Sequence, residues 1–190
     1  TGRWESSLNE LKKEVEVHTQ LIKNRIEEDV YGIGDEKLSE VVGRKLVANG
    51  ATVAVAESLS GGGVLKELTS VSGSSEYVFG GVVAYAVKVK INELGVEKGA
   101  LDKYGVVSQQ VAIQMAEGVK AKLNADYGIG TTGVAGPLGG DSKNPVGTVY
   151  IAVSGPKRTV VDRFNMGKDR AGVVQRTILS AMNMLRKELN

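Results

Sequence analysis

Hydrophobic positions along the chain change rhythm several times, and each change marks an element. Leu8, Leu11, Val15, His18 and Ile22 step by three and four, which predicts a helix from Leu8 to Ile26 with one apolar stripe and a charged opposite face. Tyr31-Gly-Ile-Gly34 breaks it, and Asp35-Glu36 opens a second helix with Leu38, Val41, Val42, Leu46 and Val47 inward until Gly50. The apolar run Thr52-Val-Ala-Val-Ala56 then reads as a strand. It enters a turn, Glu57-Ser-Leu-Ser-Gly-Gly-Gly63, and a short amphipathic helix from Val64 to Leu68. A polar loop, Ser70 to Ser75, precedes a second strand from Tyr77 to Tyr85. Val87-Lys-Val-Lys90 fits two readings: a continuing strand puts both lysines on one face, and a helix separates them. Ser108 caps a helix from Gln109 to Leu123 with Val111, Ala112, Met115, Val119 and Leu123 inward. Asp126 to Thr131 is a third strand, running into a second glycine-rich turn from Thr131 to Gly140. Val146 to Val153 and Val160 to Phe164 follow as adjacent hairpin strands. The closing helix, Asp169 to Leu189, has Val173, Ile178, Met182 and Leu185 inward and basic residues near its end.

Alternating β and α elements, with glycine-rich loops after two apolar strands, predict an α/β fold: three α/β/α layers around a mixed central sheet. An N-terminal helical extension, residues 1–34, precedes the domain expected at 35–190. In such sheets ligands sit beyond the carboxyl ends of the strands, so the turns at Ser58 and Thr132 are expected to border one pocket.

Composition narrows the classes. The 190 residues hold 42% hydrophobic and 24% charged residues, with a net charge of +2, too balanced for a nucleic-acid stripe or an anionic membrane surface. No nucleic-acid or membrane partner is expected. There is no cysteine, hence no disulfide, thiol nucleophile or Cys-based metal site. The single histidine, His18, lies on the helical stripe, so neither a histidine metal cluster nor a Ser-His pair at the turn is available. No metal is expected. No apolar run approaches a membrane span and no signal-peptide pattern opens the chain, from which a cytoplasmic location is expected.

The chemistry concentrates at the first turn. Two serines and three glycines after a buried strand place small side chains and bare N–H groups where anions and developing oxyanions are stabilised. Without histidine, a serine is activated when a neutral lysine takes its proton, and a lysine between apolar neighbours has the lowered pKa this needs. Lys90, between Val89 and Ile91, is the candidate base for Ser58, and Lys88 is its rival. Amides near Ser60 and Gly61 are candidate oxyanion donors, and Thr132 a candidate substrate contact from the facing loop. Glu57 is either an alternative base or a buried helix partner. These residues suit a serine hydrolase and also a nucleotide or phosphate binder; neither turn has the P-loop pattern G-x-x-x-x-G-K-[ST].

Four motifs in order carry a resemblance: Ala54-Val-Ala-Glu-Ser-Leu-Ser-Gly-Gly62; Gly80-Gly-Val-Val-Ala-Tyr85 with Lys90 and Leu94-Gly-Val96; Thr131-Thr-Gly-Val-Ala-Gly-Pro137; and Pro145-Val-Gly-Thr-Val-Tyr150. From about Glu36 onward the chain resembles the CinA C-terminal domain, the nicotinamide mononucleotide amidohydrolase family. The preceding helix resembles the segment joining the halves of longer CinA proteins, whose upstream half is absent here. The resemblance implies hydrolysis of the carboxamide of nicotinamide mononucleotide, a small-molecule substrate, to nicotinic acid mononucleotide and ammonia, with no cofactor. It implies Ser58 as nucleophile, Lys90 as base and Tyr85 as a positioning neighbour. Ser60, Gly61, Gly62, Thr132 and Gly133 would line the substrate site, with Arg170, in Gly167-Lys-Asp-Arg170, on the phosphate. The chain departs from the family pattern at Ser60 for threonine, Ala86-Val87 for Ser-Asn and Leu138 for glycine. The alternative this opens is a nucleotide-binding regulatory domain that keeps the pocket without turnover. The apolar stripe from Leu8 to Ile26 leads to the expectation of a homo-oligomer.

Overall fold

The computed structural model describes residues 2–26 and 29–190. Chain contacts gather into two units, residues 1–36 and 37–190. The first is built on α1 (Gly2–Arg25), on which Leu8, Leu11, Val15 and Ile22 are all more than half exposed.

The second unit opens with α2 (Leu38–Ala48), after Lys37 rather than at Asp35-Glu36. The Lys37 N–H donates to the Glu40 carboxylate at 3.2 Å, so the first turn has its acceptor three residues in. Leu38, Val41, Val42 and Leu46 are buried, but Val47, expected inward, is 52% exposed. At ~100° per residue it stands half a turn from Leu38, on the solvent face.

Five strands form one sheet in the order β2-β1-β3-β4-β5. β1 (Val53–Glu57) lies parallel to both β2 (Val78–Val83) and β3 (Tyr127–Gly133), whereas β4 (Thr148–Ser154) and β5 (Thr159–Asn165) pair antiparallel. The mixed sheet expected from the hairpin is what forms. The parallel half needs helical crossovers: α3 (Gly63–Thr69) joins β1 to β2, and α4 (Val87–Leu94), α5 (Lys98–Tyr104) and α6 (Gln109–Leu123) join β2 to β3. The chain closes with α7 (Arg170–Glu188), capped by the Asp169 side chain.

Alternation along β1 divides the core in two. Val53 and Val55 pack with Leu46, Leu68, Ile178 and Leu185, from α2, α3 and α7; Ala54 and Ala56 pack with Leu94, Val111, Met115 and Val119, from α4 and α6. On β1 and β3 the face toward α6 is made of small residues, Ala54, Ala56, Gly128 and Gly130, because the helix lies almost on the main chain there. A methyl group at Gly128 or Gly130 of β3 would run into the Ala116 or Ala112 carbonyl. At Gly118 of α6 it would run into the Leu94 carbonyl at the end of α4. Backbone cannot swing aside as a side-chain tip can. Gly118→Ala is therefore expected to cost about 3 kcal/mol of stability, read as a lowered thermal midpoint; a midpoint within a degree or two of the parent would contradict this packing. Among the described residues, no helix is long and apolar enough to cross a membrane.

Candidate active site

β1 sits at the centre of the parallel half and delivers Glu57 and Ser58 to its carboxyl end. Glu57 is almost fully buried, and its carboxylate accepts N–H bonds from Gly62 (3.1 Å), Val64 (3.0 Å) and Leu65 (2.8 Å). Of the two roles open to it from the sequence, this is the helix partner. It closes the turn that bears Ser58 by capping α3, whose own N-cap residue, Gly62, offers no side chain.

The two readings of Val87 to Lys90 are resolved by α4. On a helix the lysines part: Lys88 is exposed, and Lys90 is completely buried against the α6 side of the sheet. Its Nζ lies 3.0 Å from Ser58 Oγ and donates to the Ala84 carbonyl. Burial pushes the Lys90 amine down from 10.5 to about 8. Among the described residues no carboxylate meets it, and the Glu57 oxygens are occupied by the turn. A neutral amine so placed gives one N–H to Ala84 and turns its lone pair to the Ser58 hydroxyl, the arrangement a serine nucleophile needs.

The other residues singled out from the sequence spread around this pair. The register that pairs Ala56 with Gly130 brings Ser58 and Thr132 to the same level of the sheet. Thr132 is buried, and its hydroxyl donates to the Val106 carbonyl at 2.9 Å. Gly133 ends β3, partly buried. Ser60 Oγ is 3.2 Å from Thr131 Oγ1, a buried hydroxyl pair in which either oxygen can donate. The Gly61 N–H, expected to be an oxyanion donor, is bonded to the Ser58 carbonyl at 3.2 Å, and that of Gly62 to Glu57. Both glycines have positive φ, 63° and 99°, and this backbone turn is what their lack of a side chain supplies. Arg170, at the first position of α7, is exposed and donates to the Gly136 carbonyl at 2.8 Å, tying that helix to the second glycine-rich turn. Tyr85 is 65% exposed. The group that holds Lys90 in that stretch is the preceding carbonyl, of Ala84. Ala84 and Thr131 were not marked as site residues: a carbonyl has no signature in sequence, and of the two threonines that open the second glycine-rich turn only Thr132 was singled out.

The helix that carries Lys90 begins poorly. Its N-cap, Ala86, has no side chain to accept the first N–H groups. Ala86→Ser is expected to raise stability by about 1 kcal/mol, seen as a higher urea midpoint with unchanged slope; no gain would mean that α4 is held by packing alone.

The sequence profile of the CinA C-terminal domain matches residues 35–189. A CinA-like protein of Nostoc punctiforme is 44% identical over 164 residues, covering 85% of this chain and 39% of that protein. One from Flavobacterium psychrophilum is 40% identical over 182 residues, covering 95% and 44%. The chain thus spans less than half the length of these curated relatives. Among solved structures, the competence damage-inducible protein A of Klebsiella pneumoniae superposes with a TM-score of 0.77 at 31% identity, covering 80% of this chain and 94% of that one. The competence/damage inducible protein CihA of Agrobacterium tumefaciens does so at 0.74 and 32%, covering 81% and 96%. Sequence profile, relatives and fold agree, and the chain belongs to the CinA C-terminal domain family.

Proposed function

We propose that this domain hydrolyses the carboxamide of nicotinamide mononucleotide to nicotinic acid mononucleotide and ammonia. The observation that carries this reading is the buried pair of Ser58 and Lys90, with 3.0 Å between hydroxyl oxygen and amine and the amine poised at about 8. Lys90 takes the Ser58 proton as Oγ bonds to the carboxamide carbon, giving a tetrahedral oxyanion. That intermediate collapses with cleavage of the C–N bond, and the Lys90 proton passes to the departing nitrogen, which leaves as ammonia. Water then adds to the acyl-serine, giving one proton to Lys90. Cleavage of the Oγ–C bond returns that proton to Ser58 and frees the acid. Arg170, exposed at the start of α7, is the group offered to the phosphate, its fork suited to two oxygens at once.

The test is direct: purified chain with nicotinamide mononucleotide, following ammonia and the acid product together. Stoichiometric appearance of both supports the reading, and neither appearing at high enzyme concentration refutes it. Calorimetric binding with no product would favour the regulatory reading, to which the uncapped start of α4 at Ala86 lends support.

A further inference from the structure

The turn after β1 divides its N–H groups into two sets. Five are spent inside the protein: Gly61 on the Ser58 carbonyl, Gly63 on the Ser60 carbonyl, and Gly62, Val64 and Leu65 on the Glu57 carboxylate. Among the described residues, the N–H groups of Ser58, Leu59 and Ser60 have no acceptor. All three residues are at least nine-tenths buried, and an unpaired N–H in such surroundings is costly and uncommon. These three consecutive donors begin at the nucleophile itself. Successive amides in a turn make a concavity for an anion, and the anion that attack by Ser58 produces is the oxygen of the tetrahedral intermediate.

We infer that the N–H groups of Ser58, Leu59 and Ser60 are the oxyanion donors, and that Glu57 is the positioning residue that reserves them. This rests on the amidohydrolase reading and deepens it. Glu57 precedes Ser58 in the chain, yet its carboxylate reaches past the whole turn to the amides at 62, 64 and 65. It satisfies the donors that α3 leaves over, and it fixes where the turn ends. Without it those amides compete for the same developing charge, and the turn loses its fixed geometry. The donors next to Ser58 work only if the turn is already set when charge appears, because preorganisation is what gives such groups their effect.

Pyridine-3-boronic acid is the probe. Its boron accepts Ser58 Oγ, the hydroxyl proton passes to Lys90, and the tetrahedral boronate anion puts an oxygen where the oxyanion forms. In amide proton–nitrogen spectra of the whole chain, the resonances of Ser58, Leu59 and Ser60 are expected to move downfield most, and not in Ser58→Ala. Glu57→Gln is expected to lower kcat by ~100-fold with KM within about twofold, and to weaken the boronate in step with kcat. If ammonia is released and boronate inhibits it, but the largest shifts fall on Gly61, Gly62 or elsewhere, the donor assignment fails alone. If Glu57→Gln lowers the thermal midpoint while leaving kcat and boronate affinity unchanged, Glu57 is a structural cap only. If nicotinamide mononucleotide releases no ammonia at all, the underlying amidohydrolase reading fails with it.

Discussion

Ser58→Ala is expected to lower ammonia release from nicotinamide mononucleotide by at least ~10⁴-fold, because no second nucleophile stands at that point and the acyl-serine cannot form. Nearby hydroxyls offer no substitute: Ser60 is engaged with Thr131, and Thr132 with the Val106 carbonyl. The fold is expected to survive. Ser58 Oγ contributes one side-chain bond, to Lys90, and the amine keeps the Ala84 carbonyl after its loss. A thermal midpoint close to the parent's, with initial rates at the assay background, is the expected pair of results. Ammonia at the parental rate from the folded variant would end Ser58's candidacy.

Lys90→Met is expected to lower kcat/KM by roughly 10²- to 10⁴-fold, the usual weight of a general base. Methionine nearly matches the lysine stem, so packing against α6 is retained. The pH dependence is more diagnostic. The base must be neutral, so the parental kcat/KM is expected to rise about tenfold per pH unit below the Lys90 value of about 8 and to level off above it. At pH 7 roughly one molecule in ten carries the active form. Stability moves the same way. The folded value, about 8, lies below the ordinary 10.5, so between the two the unfolded chain binds a proton that the native chain has released. Stability therefore gains across that window as pH rises, by up to roughly 3 kcal/mol. Below it the native protein buries an ammonium and bears the whole penalty. Urea unfolding of parent and Lys90→Met at pH 7, 8.5 and 10 isolates this contribution: their difference should shrink as pH rises. A flat difference, or a rate profile with no inflection near pH 8, would mean that the amine is not the titrating base.

How much of this was legible before the structure differed from one stretch to another. α6 was plain, since Val111, Ala112, Met115 and Val119 repeat at helical spacing behind the Ser108 cap over 15 residues. α5 was not, because its 7 residues contain only Ala100 and Leu101 as buried positions, too few to show a period. Val87 to Lys90 carried a strand's alternation, and tertiary packing overrode it: Lys90 and Leu94, one turn apart, are the residues α4 buries. The Ser58 candidate stood out because hydroxyls and glycines at a strand end are few and local. Its glycines announced a tight turn but not which amides the turn would consume, for that depends on where the Glu57 carboxylate lands. Thr132 and Arg170 were marked as ligand groups, and the structure adds the carbonyls that hold them, of Val106 and Gly136. Val47 was assigned inward on hydrophobicity alone, where the helical angle decides.

The glycine contacts of α6 carry a lesson about heritable tolerance. Through Gly118 the helix touches the main chain at the end of α4, and through Ala112 and Ala116 it rests on the main chain of β3. The spacing between the helix that carries Lys90 and the strand that carries Thr132 is thus gauged by backbone against backbone, like a machined shim. Drift in the outer core can accumulate without detuning that gauge, whereas one added carbon along it cannot be absorbed. Sequence divergence in this domain should accordingly run more freely over the exposed positions of α2, α5 and α7 than along the hydrogen-sized residues at 118, 128 and 130.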